Sequence, residues 1–447
     1  MNEKQLKFFG ILAVAYAAAQ PVIPGLANGL AFLWLMGWGW GLVTKRWRGD
    51  RVALAVAGLF AALFIAVACN PDIVWLVSQR LAGVSGEVIN GDPRSDMAGR
   101  EFWAIWDYWH FLLLMTGGIW LSLGWPWLRR ALLAFGISSS VALLSSYVEL
   151  FTKINFRWDL FGPMMKRADL LWLIGRDTVT RLPDSRVMGF FDHPLTYGGL
   201  LALTAFMAAG FFLDGKFQGE ERTPRWLRRG LAPFTALTWL MLVLAKNRSY
   251  WFGAAPAAAV VLWWKGKRWL LGLGLAGLAI FALAYSLSSD FRFRFNDIFV
   301  MGHNNERFVF WCSGAGMVKD RPLTGWGPRG YREHGQLYRD ECRKGFELSN
   351  FTHVHNSYLQ VAVEGGLLGE AAFLFLLALI ALRLYRRAKS GDNSAAFARG
   401  MLAALVCFMV AALFEWNFGD KEPSMPLFFF LAAALNVPAE EALPQKE

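Results

Sequence analysis

Two histidines separated by one residue, His353 and His355, sit in a polar stretch that runs directly into a long apolar segment, His353-Val-His-Asn-Ser-Tyr-Leu-Gln-Val-Ala-Val-Glu-Gly-Gly-Leu-Leu-Gly369. Neutral imidazole titrates close to working pH, so a histidine at the water-facing mouth of a membrane helix can take a proton from an attacking hydroxyl. On spacing alone the pair reads equally well as interfacial residues at a helix start. A metal site is the poorer alternative, because no HExxH and no Cys/His cluster accompanies the pair. A second set is cationic: Arg186 in Leu182-Pro-Asp-Ser-Arg-Val-Met-Gly-Phe-Phe-Asp-His-Pro194 and Arg248 in Lys246-Asn-Arg-Ser-Tyr250. Each offers a permanently charged, planar fork suited to phosphate oxygens. Arg248 interrupts two apolar runs, where an ionisable residue is costly and usually functional; the alternative is an interfacial anchor that snorkels to the headgroups. Asp420, in the turn Glu415-Trp-Asn-Phe-Gly-Asp-Lys-Glu422, is an acid that either orients a histidine or caps a helix. Arg307, Asp320 and Arg329 are further candidates.

The elements that must position these residues are membrane helices. With 55% hydrophobic and 18% charged residues among 447 and a mean hydropathy of +0.34, the chain has too few charges to build a water-facing surface. Apolar runs at about 8–24, 26–43, 52–69, 108–124, 131–150, 195–213, 230–246, 249–264, 268–286, 357–384, 397–415 and 424–437 predict about twelve transmembrane helices in an all-α, polytopic integral membrane protein. The net charge of +11 is concentrated in short turns, Lys45–Arg48, Arg129-Arg130, Arg222–Arg229, Lys265–Arg268 and Arg383–Lys389. With the N-terminus inside, all of them fall on the cytoplasmic side, so the basic balance reads as topology and not as nucleic-acid binding. No cleavage site for a signal peptide follows the first run, which is expected to stay as a helix. Residues 1–447 read as a single membrane domain with three long external segments, 70–107, 152–194 and 287–356. The last is a large, partly helical loop in which Glu306–Asp320 is expected to be an amphipathic helix ended by Arg321-Pro-Leu-Thr-Gly-Trp-Gly-Pro328.

In the first stretch, nine residues separate Asn356 from Gly366 and two more separate Gly366 from Gly369. This pattern resembles the signature of the O-antigen ligase family, and looser likeness covers roughly residues 175–425. The resemblance implies an inverting, metal-independent glycosyltransferase of the bacterial inner membrane, with its site on the periplasmic face. It implies an undecaprenyl-diphosphate-linked glycan as donor and lipid A-core as acceptor, with no cofactor and no nucleic acid. It favours His355 as general base, Arg186 and Arg248 as ligands of the carrier diphosphate, and His353 and Asn356 in support; the superfamily often has an acid where Asp420 stands. A polymerase taking a second carrier-linked glycan as acceptor is the near alternative, and a lipid-linked glycan transporter the more distant one. A periplasmic loop would also permit a disulfide between Cys312 and Cys342; otherwise Cys312 packs reduced beside Trp311 and Cys342 is exposed.

Overall fold

The computed structural model describes residues 1–44, 50–85, 100, 102–161, 186–191, 193–214, 225–287, 289–296, 305–343, 352–390 and 393–438. Among them every regular element is helical. The first group comprises α1 (Glu3–Ala19), α2 (Pro24–Val43), α3 (Arg51–Ala68), α4 (Pro71–Leu81) and α5 (Gly117–Thr152), with a 3-10 stretch, Ile105–Met115, ahead of α5. Next come α6 (Pro194–Asp214), α7 (Arg225–Leu244), α8 (Arg248–Trp263), α9 (Lys267–Leu287) and α10 (Ser289–Asn296). The last group comprises α11 (Asn305–Asp320), α12 (Gly330–Cys342), α13 (Ser357–Ala388), α14 (Asn393–Ala411) and α15 (Lys421–Asn436).

Six of these, α2, α3, α5, α6, α13 and α14, are long and apolar enough to cross a membrane, by length and composition. The other expected spans are helical but shorter or less apolar, apart from 108–124, where the chain is not one α-helix. There the 3-10 stretch leads into the first turns of α5, which break at Gly124 (φ 66°) just before Pro126. Tyr108 reaches Glu364 near the start of α13, Gly117 lies against Asn436 at the end of α15, and Glu149 binds the backbone at Met188 and Gly189. The chain therefore crosses the bundle, turns at Gly124 and returns, which brings Arg129 and Arg130 close after the turn.

The centre of the bundle is α15. Every residue from Pro423 to Leu435 is buried, as a helix apolar on all sides requires. Phe428, Phe429 and Phe430 pack there against Phe111, Trp34 with Trp120, and Phe135 respectively. Between helices that share a lipid solvent, association depends on close packing and not on apolar transfer. Accordingly α6 and α14 touch through Gly210 and Gly400, whose backbones leave no room for a side chain. Phe32, Met36, Leu54, Leu144, Leu271 and Phe375 form part of the apolar outer surface.

The two ends of the bundle differ in kind. At one end Arg383 pairs with Asp50 at 2.7 Å, tying the exit of α13 to the start of α3, and Arg387 bonds the Val437 carbonyl. Of the expected inside turns, Lys45–Arg48 and the start of the Arg222–Arg229 turn, Arg222–Pro224, lie outside the described residues. At the other end stand the N-termini of α6, α8, α13 and α15, linked by Asn247 Nδ2 to the Pro194 carbonyl at 2.7 Å and by Thr196 Oγ1 to Asp420 at 2.7 Å. Over this end lie α11 and α12, packed on a small core of Phe310, Met317, Tyr331, Val354 and Val363. A disulfide joins Cys312 on α11 to Cys342 at the end of α12, with Cα atoms 6.0 Å apart.

Candidate active site

His355 precedes the cap of α13. Asn356 is the N-cap, its side chain accepting the Leu359 N–H at 3.0 Å. His355 itself adopts a left-handed backbone, φ 51°, which a non-glycine residue holds only where its surroundings enforce it. The enforcing contacts are specific. Ser357 N donates to the Ala412 carbonyl at 2.8 Å and Ser357 Oγ to the Glu415 carbonyl at 2.8 Å. On the other side Val354 N donates to Gln360 Oε1 at 2.9 Å, and Gln360 Nε2 in turn donates to Glu364 at 2.6 Å. The His loop is thus clamped between the α14–α15 connection and the first turns of its own helix.

The clamp sets the chemistry. His355 Nδ1 lies 3.3 Å from Glu415 Oε2, and the other Glu415 oxygen accepts from Arg307 at 2.6 Å. Glu415 is buried, which alone would raise its pKa, but the His355 contact and the Arg307 charge hold it below its usual value. A carboxylate on Nδ1 favours the tautomer in which Nδ1 carries the proton and Nε2 is the basic nitrogen. The ring of His353 lies 4.3 Å from that of His355, and burial pushes its pKa down to about 3, so it stays neutral at working pH. Phe310 covers another side of His355, and Trp311 Nε1 approaches its carbonyl at 3.5 Å.

The remaining candidates divide into three groups. Arg307 belongs to the His355 centre through Glu415. Arg329 grips Asp107 with Nε at 2.6 Å and a terminal nitrogen at 3.1 Å, while its backbone N–H donates to Glu364 at 3.1 Å. Asp320 accepts from Tyr338 on the outer side of α11 and α12. Arg248 occupies the first position of α8, and Arg186 lies eight residues before Pro194 at the start of α6; both are half-buried at the end of the bundle that carries His355. Leu182–Ser185 and Asp192 of the Arg186 stretch lie outside the described residues.

Asp420 caps α15, accepting the Glu422 N–H, and receives the Thr196 hydroxyl. The acid on His355 is Glu415, five residues earlier. Its signal was present in the sequence as a carboxylate at the end of the apolar run 397–415, a place where an acid is expensive unless paired. Asp107, Tyr108, Glu364 and Trp416 were also missed, since nothing in their local sequence points at the His loop.

With this geometry in hand, residues 233–374 match the family model described as O-antigen ligase. This segment belongs to the O-antigen ligase family. The matched part contains Arg248, Arg307, Arg329, His353, His355, Asn356, Gly366 and Gly369, while Arg186, Glu415 and Asp420 fall outside it. No curated protein matches the chain. Over these residues the match indicates, at the level of the superfamily, a glycosyltransferase-like membrane enzyme.

Proposed function

We propose that this protein is an O-antigen ligase, transferring a glycan from undecaprenyl diphosphate to a hydroxyl of lipid A-core at the periplasmic face of the inner membrane. The observation that carries the reading is the Glu415 carboxylate on Nδ1 of His355 at the mouth of α13. The acceptor oxygen attacks the anomeric carbon from the face opposite the diphosphate. Its proton passes to His355 Nε2, the bond from anomeric carbon to phosphate oxygen breaks, and the diphosphate departs with the electron pair, inverting the configuration. Glu415 stabilises the imidazolium so formed, and Arg307 keeps Glu415 in place and ionised.

Arg186 and Arg248 hold the leaving diphosphate in this reading. They stand among the converging N-termini of α6, α8, α13 and α15, whose aligned dipoles also favour an anion. Positive charge supplied this way stabilises the leaving group without requiring a divalent ion. The about twelve spans and the cytoplasmic position of the basic turns are part of the same proposal.

The test is product identity. Purified full-length protein is given carrier-linked glycan with either lipid A-core or a second carrier-linked glycan. Glycan-bearing lipid A-core supports the ligase, and elongated carrier-linked glycan would instead make the protein a polymerase. His355→Ala is expected to abolish transfer while retaining donor binding, and His353→Ala to be milder. Near-normal turnover by the His355 variant would remove it from the mechanism.

A further inference from the structure

A cavity of about 190 Å³ opens beside His353, smaller than the roughly 300–1,000 Å³ of sites that enclose drug-sized ligands. Asp107, Arg329, His353, Gln360, Trp416 and Gly419 are on its wall; among the described residues, neither arginine assigned to the diphosphate is. Three features of the wall point to one kind of occupant. Asp107 and Arg329 are locked together through two hydrogen bonds, yet their side chains are 38% and 39% exposed, so their outer edges still offer an acceptor and donors. Trp416 supplies an apolar face whose position is fixed: the chain at Gly419 folds flush against the indole, and a Cβ there would lie 1.9 Å from it. Finally, His353 both lines the cavity and lies against His355, the two rings tilted by 55°.

An aromatic face next to a carboxylate and a guanidinium is what a sugar ring uses. Its axial C–H bonds present weak positive charge to the π-face, and its vicinal hydroxyls pair with forked polar groups. We propose that this cavity is a subsite for one pyranose ring of the acceptor, stacked on Trp416 and held at its hydroxyls by Asp107 and Arg329. The next hydroxyl then passes His353 to reach His355. This rests on the ligase reading for the role of His355. The first sugar of the donor is a poorer occupant. It is bonded to the diphosphate and must stay beside the leaving-group arginines, neither of which, among the described residues, lies on this wall.

The first test needs no turnover. Saturation-transfer NMR is run on the full-length protein in detergent with methyl glycosides of gluco, galacto and manno configuration. Transfer to the ring C–H protons is expected in the wild type, lost in Trp416→Ala and kept in Trp416→Phe, which preserves an aromatic face and much of the packing. No transfer in the wild type at saturating probe, or equal transfer in Trp416→Ala, overturns the subsite. The second test is kinetic. Trp416→Ala and Asp107→Asn, the latter retaining the shape of the site, are expected to raise the KM for lipid A-core about tenfold and leave the donor KM unchanged. A rise confined to the donor KM overturns the acceptor assignment. Trp416-dependent sugar binding in a protein that transfers to neither acceptor would sink the ligase reading while leaving the sugar subsite standing.

Discussion

The Glu415→Gln variant isolates one feature of the site, the charge behind His355. Glutamine keeps the shape of the side chain and an oxygen able to accept the Nδ1 proton, so the change removes a negative charge and little else. At the observed 3.3 Å, unit charges in an effective dielectric of about 20 attract by about 5 kcal/mol. If proton transfer to His355 is half complete in the transition state, about 2.5 kcal/mol of that is lost, which lowers kcat on the order of 100-fold. Donor and acceptor KM should hardly move, because the imidazolium that Glu415 stabilises forms only as the proton is transferred. The assay is initial rates over a grid of carrier-linked glycan and lipid A-core concentrations, with purified protein in lipid nanodiscs. Wild-type kcat in Glu415→Gln would refute the assignment of Glu415 as counter-charge, and a loss carried entirely by KM would assign it to substrate binding.

Arg248→Lys and Arg186→Lys should each lower kcat roughly 10- to 100-fold, since an ammonium does not reproduce a planar fork on a diphosphate; full activity in both would show that positive potential alone suffices. Replacing Cys312 and Cys342 by alanine opens a loop of 30 residues and should weaken the docking of α12 by about 3.5 kcal/mol on the chain-entropy estimate, seen as faster amide exchange in Gly330–Cys342; unchanged exchange would mean that packing alone orders this region. His353 binds its proton only near pH 3 when folded but near 6.5 when unfolded, so the unfolded chain binds more protons across that window. Stability should therefore be complete above pH 6.5 and fall as the pH drops through it, with a further loss at lower pH from Glu415, and His353→Asn should flatten the upper part in thermal melts.

What was legible in the sequence was local. The polar stretch His353–Asn356 marks a helix start, Gly366 and Gly369 follow at fixed spacing, and the apolar runs mark helices, because each signal lies within a few residues of the structure it specifies. The Pro and Gly residues after Asp320 end α11 where expected. The pairing of His355 with Glu415 spans 60 residues and that of Arg329 with Asp107 spans 222, and no periodicity records such contacts. The placement of Glu415, which the sequence did not single out beside Asp420, shows the same limit. In a short turn containing three acids, side-chain chemistry permits any of them to face a histidine, and only the direction in which the chain leaves α14 decides among them. The 108–124 segment reads as an ordinary span because hydropathy reports that a stretch is apolar, not that its backbone is wound as a 3-10 helix and reversed at a glycine.

The break in α13 carries a last consequence. At Gly366 (φ 63°) the helix releases its own carbonyls, and the turn after α11 takes them up. Trp326 N donates to the Val363 carbonyl and Gly327 N to that of Glu364, while Leu367 N donates to the Pro322 carbonyl and Leu368 N to that of Leu323. Main chain is laced to main chain, and a Cβ at Gly366 would collide with the backbone of Leu323. A junction of this kind is indifferent to most side chains but counts residues. The segment between α11 and α12 should accept wide substitution at Leu323 and Thr324, whereas inserting or deleting one residue there shifts the lacing out of step and moves the whole outer cap relative to the histidines. For this region the heritable constraint is spacing more than composition.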